Sequence, residues 1–121
     1  MALYTKSIQA KPSEKDGIRI CIMRRPDFDT AQFDMWMPVL APSHQLLTDI
    51  HEKIIDKPEY NRRFHTEVIL GQAKFVKLLA DLALKQDVTI LCWEEAPEKC
   101  HRKLVAEECK RINPKLSVVL K

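Results

Sequence analysis

Glycine is scarce in this chain: Gly17 and Gly71 are the only two in 121 residues, and they stand apart. That excludes a glycine-rich loop that cradles phosphates through closely approaching backbone, and with it the dinucleotide fingerprint. No G-x-S-x-G elbow and no H-E-x-x-H pair occurs either, so these hydrolase and metalloprotease signatures are missing. Long hydrophobic runs are absent as well. The longest, Val88–Trp93 and Leu116–Leu120, are strand-sized and too short to cross a bilayer. The N-terminal MALYTKSIQAK lacks a hydrophobic signal core, and the expectation is a cytoplasmic protein with no membrane partner. Four cysteines, Cys21, Cys92, Cys100 and Cys109, are not expected to form a disulfide framework in a cytoplasmic chain, and their spacing contains no C-x-x-C, which argues against a two-pair zinc site. The formal charge of +3 tolerates a phosphorylated ligand or nucleic acid without calling for either.

What remains is the composition of a folded domain, 45% hydrophobic and 31% charged. A chain of this length is one ordinary domain, residues 1–121, able to bury a core of its own. Leu3–Ala10 alternates loosely as a first strand, and Lys11–Gly17 is a connecting loop. Ile18–Met23 is a strong strand with Ile18, Ile20 and Ile22 on one face and Arg19, Cys21 and Met23 on the other. Phe28–Leu40 is apolar but too irregular to assign. Ser43 N-caps a helix whose apolar face is Leu46, Leu47, Ile50 and Ile54. Pro58 suits the first turn of another, with Tyr60, Phe64 and Val68 in phase, a kink or break at Gly71, and the stripe resuming at Phe75, Leu79 and Leu82.

The rhythm then becomes strand (Val88–Trp93), helix (Pro97–Ile112), strand (Leu116–Leu120), with Asn113-Pro114 as the helix stop. So close a succession makes a βαβ unit with parallel strands and a right-handed crossover. The expected fold is a compact α/β domain: a small mixed or partly parallel sheet with helices packed on it, ending in that βαβ unit.

Parallel sheets bind ligands beyond the carboxyl ends of their strands. In this chain that location is the turn after Cys92, through Trp93 and Glu94, into Cys100-His101-Arg102. Cys100 and His101 precede Leu104 and Val105 by four residues, which points them inward, and Arg102 then falls at the rim. Three chemistries are compatible. A helix start with an adjacent arginine suits an anion. Cys100 beside His101 suits a reactive thiolate. Two thiols, a carboxylate and an imidazole suit a metal. The plainer alternative is a buried cysteine pair and a histidine bonded to backbone. His44, His51 and His65 have no metal-ligand spacing and are expected as surface or boundary residues.

The stretch LCWEEAPEKCHRKLVAEE, Leu91 to Glu108, resembles the signature of the domain of unknown function 488 family: a strand ending in Cys-x-Glu, a proline-bearing loop, and Cys-His-Arg opening a helix. Cys92, Glu94, Pro97, Cys100, His101 and Arg102 match it. The middle of the chain is similar to the short, YeaO-like branch at Trp36, at Leu40–Ser43 and along Tyr60, Phe64, Glu67 and Val68. Arg24 looks equivalent to a family arginine, although the glycine-containing segment around it is replaced by Met23–Asp27. The resemblance implies a compact α/β fold and supplies no substrate or cofactor.

The leading expectation is therefore a site for a small anionic or phosphorylated ligand. Arg102 and Arg24 hold the anion, Cys92 and Trp93 line the site, Cys100 is the nucleophile or redox thiol, and Glu94 or His101 carries the proton. The competitors are a metal or redox sensor built on the same thiols, and a nucleic-acid or protein interaction module without catalysis. No metal is assigned, and a homo-oligomer is compatible with a domain of this kind.

Overall fold

The computed structural model describes residues 1–93 and 101–121. Five strands, β1 (Ala2–Ser7), β2 (Ile18–Cys21), β3 (Met35–Trp36), β4 (Val88–Cys92) and β5 (Ser117–Leu120), form one sheet in the order β3-β2-β4-β1-β5. Every neighbouring pair is parallel, so the sheet is parallel throughout, where the sequence pointed only to a mixed or partly parallel one. The register sets Leu3 and Ile18 beside Val88, and Ile20 beside Ile90. Alternation therefore aims Leu3, Ile20, Ile22, Val88 and Ile90 at one face, where they join the core.

Among the described residues four helices close that face: α1 (His44–His51), α2 (Lys57–Phe64), α3 (Ala73–Lys85) and α4 (His101–Ile112). The starts of α1 and α2 follow from their capping chemistry. The Ser43 hydroxyl accepts from the Leu46 N–H and caps α1; Asp56 accepts from Glu59 N–H and caps α2, with Pro58 in its first turn. Beyond α2 the chain makes a π-helical turn over His65–Leu70 before α3 begins, so the expected discontinuity at Gly71 is the exit of that turn. Leu46, Phe64, Val76, Leu79, Val105 and Leu116 interdigitate over the sheet and are essentially inaccessible.

The opposite face is covered by the β1–β2 connection, and its chemistry is ionic. Asp16 is 3% exposed and takes Lys6 Nζ at 3.0 Å, Arg19 Nη1 at 2.5 Å and the Ser13 N–H at 3.0 Å. Thr89 Oγ1 donates to the Asp16 carbonyl at 2.7 Å. Burial pushes the Asp16 carboxyl up, but the Ser13 N–H and the two cations outweigh it and hold it below the usual range. A short irregular segment can thus cover a sheet face because its one buried charge is fully bonded.

The segment left unassigned by its pattern, Phe28–Leu40, contributes the two-residue edge strand β3 and a single 3₁₀ turn at Pro38–Leu40. It is held less by periodicity than by specific bonds: Asp34 N–H to Arg19 O, Met37 N–H to Cys21 O, and Trp36 Nε1 to Met23 O. Among the described residues no helix is long and apolar enough to cross a membrane.

Candidate functional site

The strand order locates the site before any side chain is considered. From β2 the chain moves outward to β3 at one edge; from β4 it crosses by way of α4 to β5 at the other. β2 and β4 are neighbours, so the connections that leave their carboxyl ends run in opposite directions and leave a crevice beyond them. A cavity of about 680 Å³ lies at this point. Met23, Arg24 and Arg25 reach it from the end of β2, Cys92 and Trp93 from the end of β4, and His101 from the start of α4. Its outer wall is the first two helices: His44, Leu47 and His51 fall on one stripe of α1, and Lys57 and Tyr60 open α2.

The charge of the lining is one-sided. Arg24, Arg25 and Lys57 are cationic and His44 and His51 are imidazoles, while no carboxylate belongs to the described lining. Arg24 is half-buried and fixed: Nε donates to Pro42 O at 3.0 Å and Nη2 to Ala41 O at 3.2 Å, docking the Leu40–Ser43 turn against the end of β2. Its Nη1 makes no bond to a described residue. Arg25 is exposed. Lys57 Nζ stands 4.5 Å from the centre of the Tyr60 ring.

His101 forms the floor, 6% exposed. Its Nε2 lies 2.7 Å from the Ile22 carbonyl oxygen and its Nδ1 3.6 Å from Cys92 Sγ. A carbonyl only accepts, so Nε2 carries the proton and Nδ1 keeps a lone pair directed at the sulfur. Burial pushes the imidazole down to about 4 against the pull of the Ile22 carbonyl, and the positive charges of Lys57 and Arg102 push the same way. The ring is therefore neutral at pH 7. The Phe64 ring packs on it with centroids 5.3 Å apart.

Of the residues singled out in the sequence, the structure brings Arg24, Cys92, Trp93 and His101 to one cavity. His101 points inward, as its phase in the helix requires. Arg102 is a correction: it is not at the rim but fully buried, the largest such side chain among the described residues, with Nη2 3.3 Å from the Lys121 carbonyl, and it is not part of the described lining of the cavity. The reason is its place one step further round α4, which turns the guanidinium away from the crevice and towards the β5 side. Glu94 and Cys100 lie outside the described residues. Cys21 and Cys109 are free, buried thiols, and burial pushes that of Cys109 up to about 12; Cys92 is disulfide-bonded. Among the described residues no three His, Cys, Asp or Glu side chains converge to hold a metal.

Sequence reasoning missed the outer wall. His44 and His51 do stand on the surface, but on the stripe that faces the crevice, and the signal was their spacing with Leu47 at i, i+3 and i+7. Lys57 carried no local signal, because only tertiary packing brings α2 to the cavity; Tyr60 was legible only as a helix-phase and family match, and Arg25 only as the neighbour of Arg24.

No curated protein and no solved structure matches the chain. The family model DUF488-N3a, described as the active DUF488-N3 subclade, matches residues 3–112. That span takes in the sheet from β1 to β4, all four helices and every residue of the cavity, and the chain belongs to the DUF488 family.

Proposed function

We propose that the protein binds a small anionic, phosphorylated ligand in the crevice between β2 and β4. One observation carries this reading: a cavity at the point where the chain leaves two adjacent parallel strands in opposite directions, with three cationic side chains and no carboxylate in its described lining. Arg24 and Arg25 take the anion, Arg24 as a preset donor because its other nitrogens are tied to Ala41 and Pro42. Trp93 and Cys92 wall the site. Arg102 drops out of the contact set through its burial. For chemistry at the site, His101 Nδ1 or Glu94 is the candidate proton carrier, and Cys100 is the candidate nucleophile in the reduced protein alone.

Thermal unfolding with inorganic pyrophosphate tests the binding step. A ligand at a hundred times its Kd stabilises the fold by about 2.7 kcal/mol. Arg25→Ala and Arg24→Lys together are expected to abolish that stabilisation while the fold persists, because Lys keeps the charge but not the fork. An unchanged pyrophosphate response in the double variant would remove the anion reading.

The disulfide at Cys92 favours a second reading, a redox thiol site, with Cys100 proposed as the other sulfur. Alkylation of the unfolded protein then labels two thiols before reduction with dithiothreitol and four after it. Four labelled thiols without reduction would dispose of this reading.

A further inference from the structure

The cavity is too large and too apolar for a bare anion. Cavities of about 300–1,000 Å³ take molecules with a sizeable apolar body, and this one, at about 680 Å³, sets Leu47, Ile50, Met23 and Tyr60 beside its cations. It also has a neighbour. A second cavity of about 270 Å³ adjoins it, and Met23 and Trp93 line both.

The two cavities differ in chemistry. The second is lined by the β1–β2 connection and the segment after β2, which offer Gln9, Thr30 and Gln32 together with one cation, Lys11, and one carboxylate, Asp27. Amides, a hydroxyl and one carboxylate are the groups that hydrogen-bond a neutral heterocycle, whereas the clustered cations of the first cavity suit a phosphate. Between them stands Trp93, with 57% of its surface exposed. Its backbone is pinned: Ser7 Oγ and Gln9 Nε2 each donate to its carbonyl at 3.0 Å. An exposed indole on an anchored backbone, between a cationic cavity and a polar one whose single cation and carboxylate balance, suits a stacked base.

We propose that the ligand is a nucleoside phosphate, its phosphate on Arg24 and Arg25 and its base stacked on Trp93 and reaching the second cavity. This rests on the anion reading and adds the substrate class. The same chemistry is offered by a free nucleotide and by the 5′-phosphorylated end of a single strand.

Calorimetric titration of the full chain with inorganic phosphate, the four ribonucleoside monophosphates and a 5′-phosphorylated trinucleotide tests it. At least one monophosphate is expected to bind more than tenfold tighter than phosphate, which is ~1.4 kcal/mol. Trp93→Ala is expected to erase that advantage, so that the best monophosphate binds no tighter than phosphate does to the same variant, and Trp93→Phe to restore part of it. Trinucleotide binding tighter than that of the best monophosphate identifies a strand end as the source; weaker binding identifies the free nucleotide. Phosphate binding with no gain from any nucleoside, or a Trp93→Ala variant that keeps the gain, overturns the nucleotide assignment and leaves the anion site standing. No binding of phosphate or of any nucleotide overturns both.

Discussion

Lowering the pH should weaken the fold through His101, by an amount the structure sets. The imidazole is enclosed by Phe64, the Ile22 carbonyl and Cys92, and burial holds it down to about 4, against 6.5 for the ordinary side chain. Below pH 6.5 the unfolded chain binds a proton at His101, but the folded chain does not until about pH 4. Protons therefore favour the unfolded state across that window: the stability is fully present above pH 6.5, drains away as the pH falls, and the loss is complete below about 4. At about 1.4 kcal/mol per pH unit the full loss is roughly 3 kcal/mol. Carboxylates titrate in the same region, so the wild type alone would not isolate the effect. His101→Gln removes the titration while an amide N–H stays available for the Ile22 carbonyl. Urea unfolding of both proteins between pH 7.5 and pH 4 should show the wild type losing roughly 3 kcal/mol more than the variant. Parallel curves would refute the reasoning, since the folded imidazole would then titrate as freely as the unfolded one. The Cε1 proton resonance of His101 provides a direct check, with a midpoint near 4 expected.

Three further outcomes follow from the rest of the fold. Asp16→Ala leaves the buried Arg19 and the partly buried Lys6 without their shared carboxylate and should cost about 3 kcal/mol in urea unfolding; a loss below about 1 kcal/mol would mean the β1–β2 connection is not held by these pairs. Gly17 has a φ of +65°, and a Cβ there would stand 2.0 Å from the Asp87 carbonyl oxygen, which receives the Ile18 N–H at the start of β2. Gly17→Ala should therefore lower the thermal midpoint steeply, beyond the ~1 kcal/mol of the left-handed backbone alone, because the obstacle is backbone. Phe64→Ala opens the core beneath His101 and should cost roughly 3–5 kcal/mol in urea unfolding; it should also raise the imidazole midpoint by admitting water.

The sequence by itself determined the α/β class, the strong strands and the starts of α1 and α2, since each is a local property. β-branched residues in Ile18–Met23 and Val88–Trp93 favour extended chain, Ser43 caps the helix that follows it, and Pro58 sits where a first helical turn has no use for an N–H. It also pointed His101 inward, because four residues along a helix is nearly one full turn. The Cys-x-Glu and Cys-His-Arg residues were legible as a matched set, although Glu94 and Cys100 lie outside the described residues. The tertiary structure alone decided the strand order, and with it the crevice between β2 and β4. Eighteen-to-twenty-one and eighty-eight-to-ninety-two are far apart in the chain, and nothing local records that they pair. It decided β3 as well, which is held by bonds from Asp34, Trp36 and Met37 rather than by any periodicity. It buried Arg102, which a linear reading had set at the rim. It also brought Arg25, His44, His51, Lys57 and Tyr60 to one cavity, since charge at a site is the sum over elements that meet only when the domain has folded.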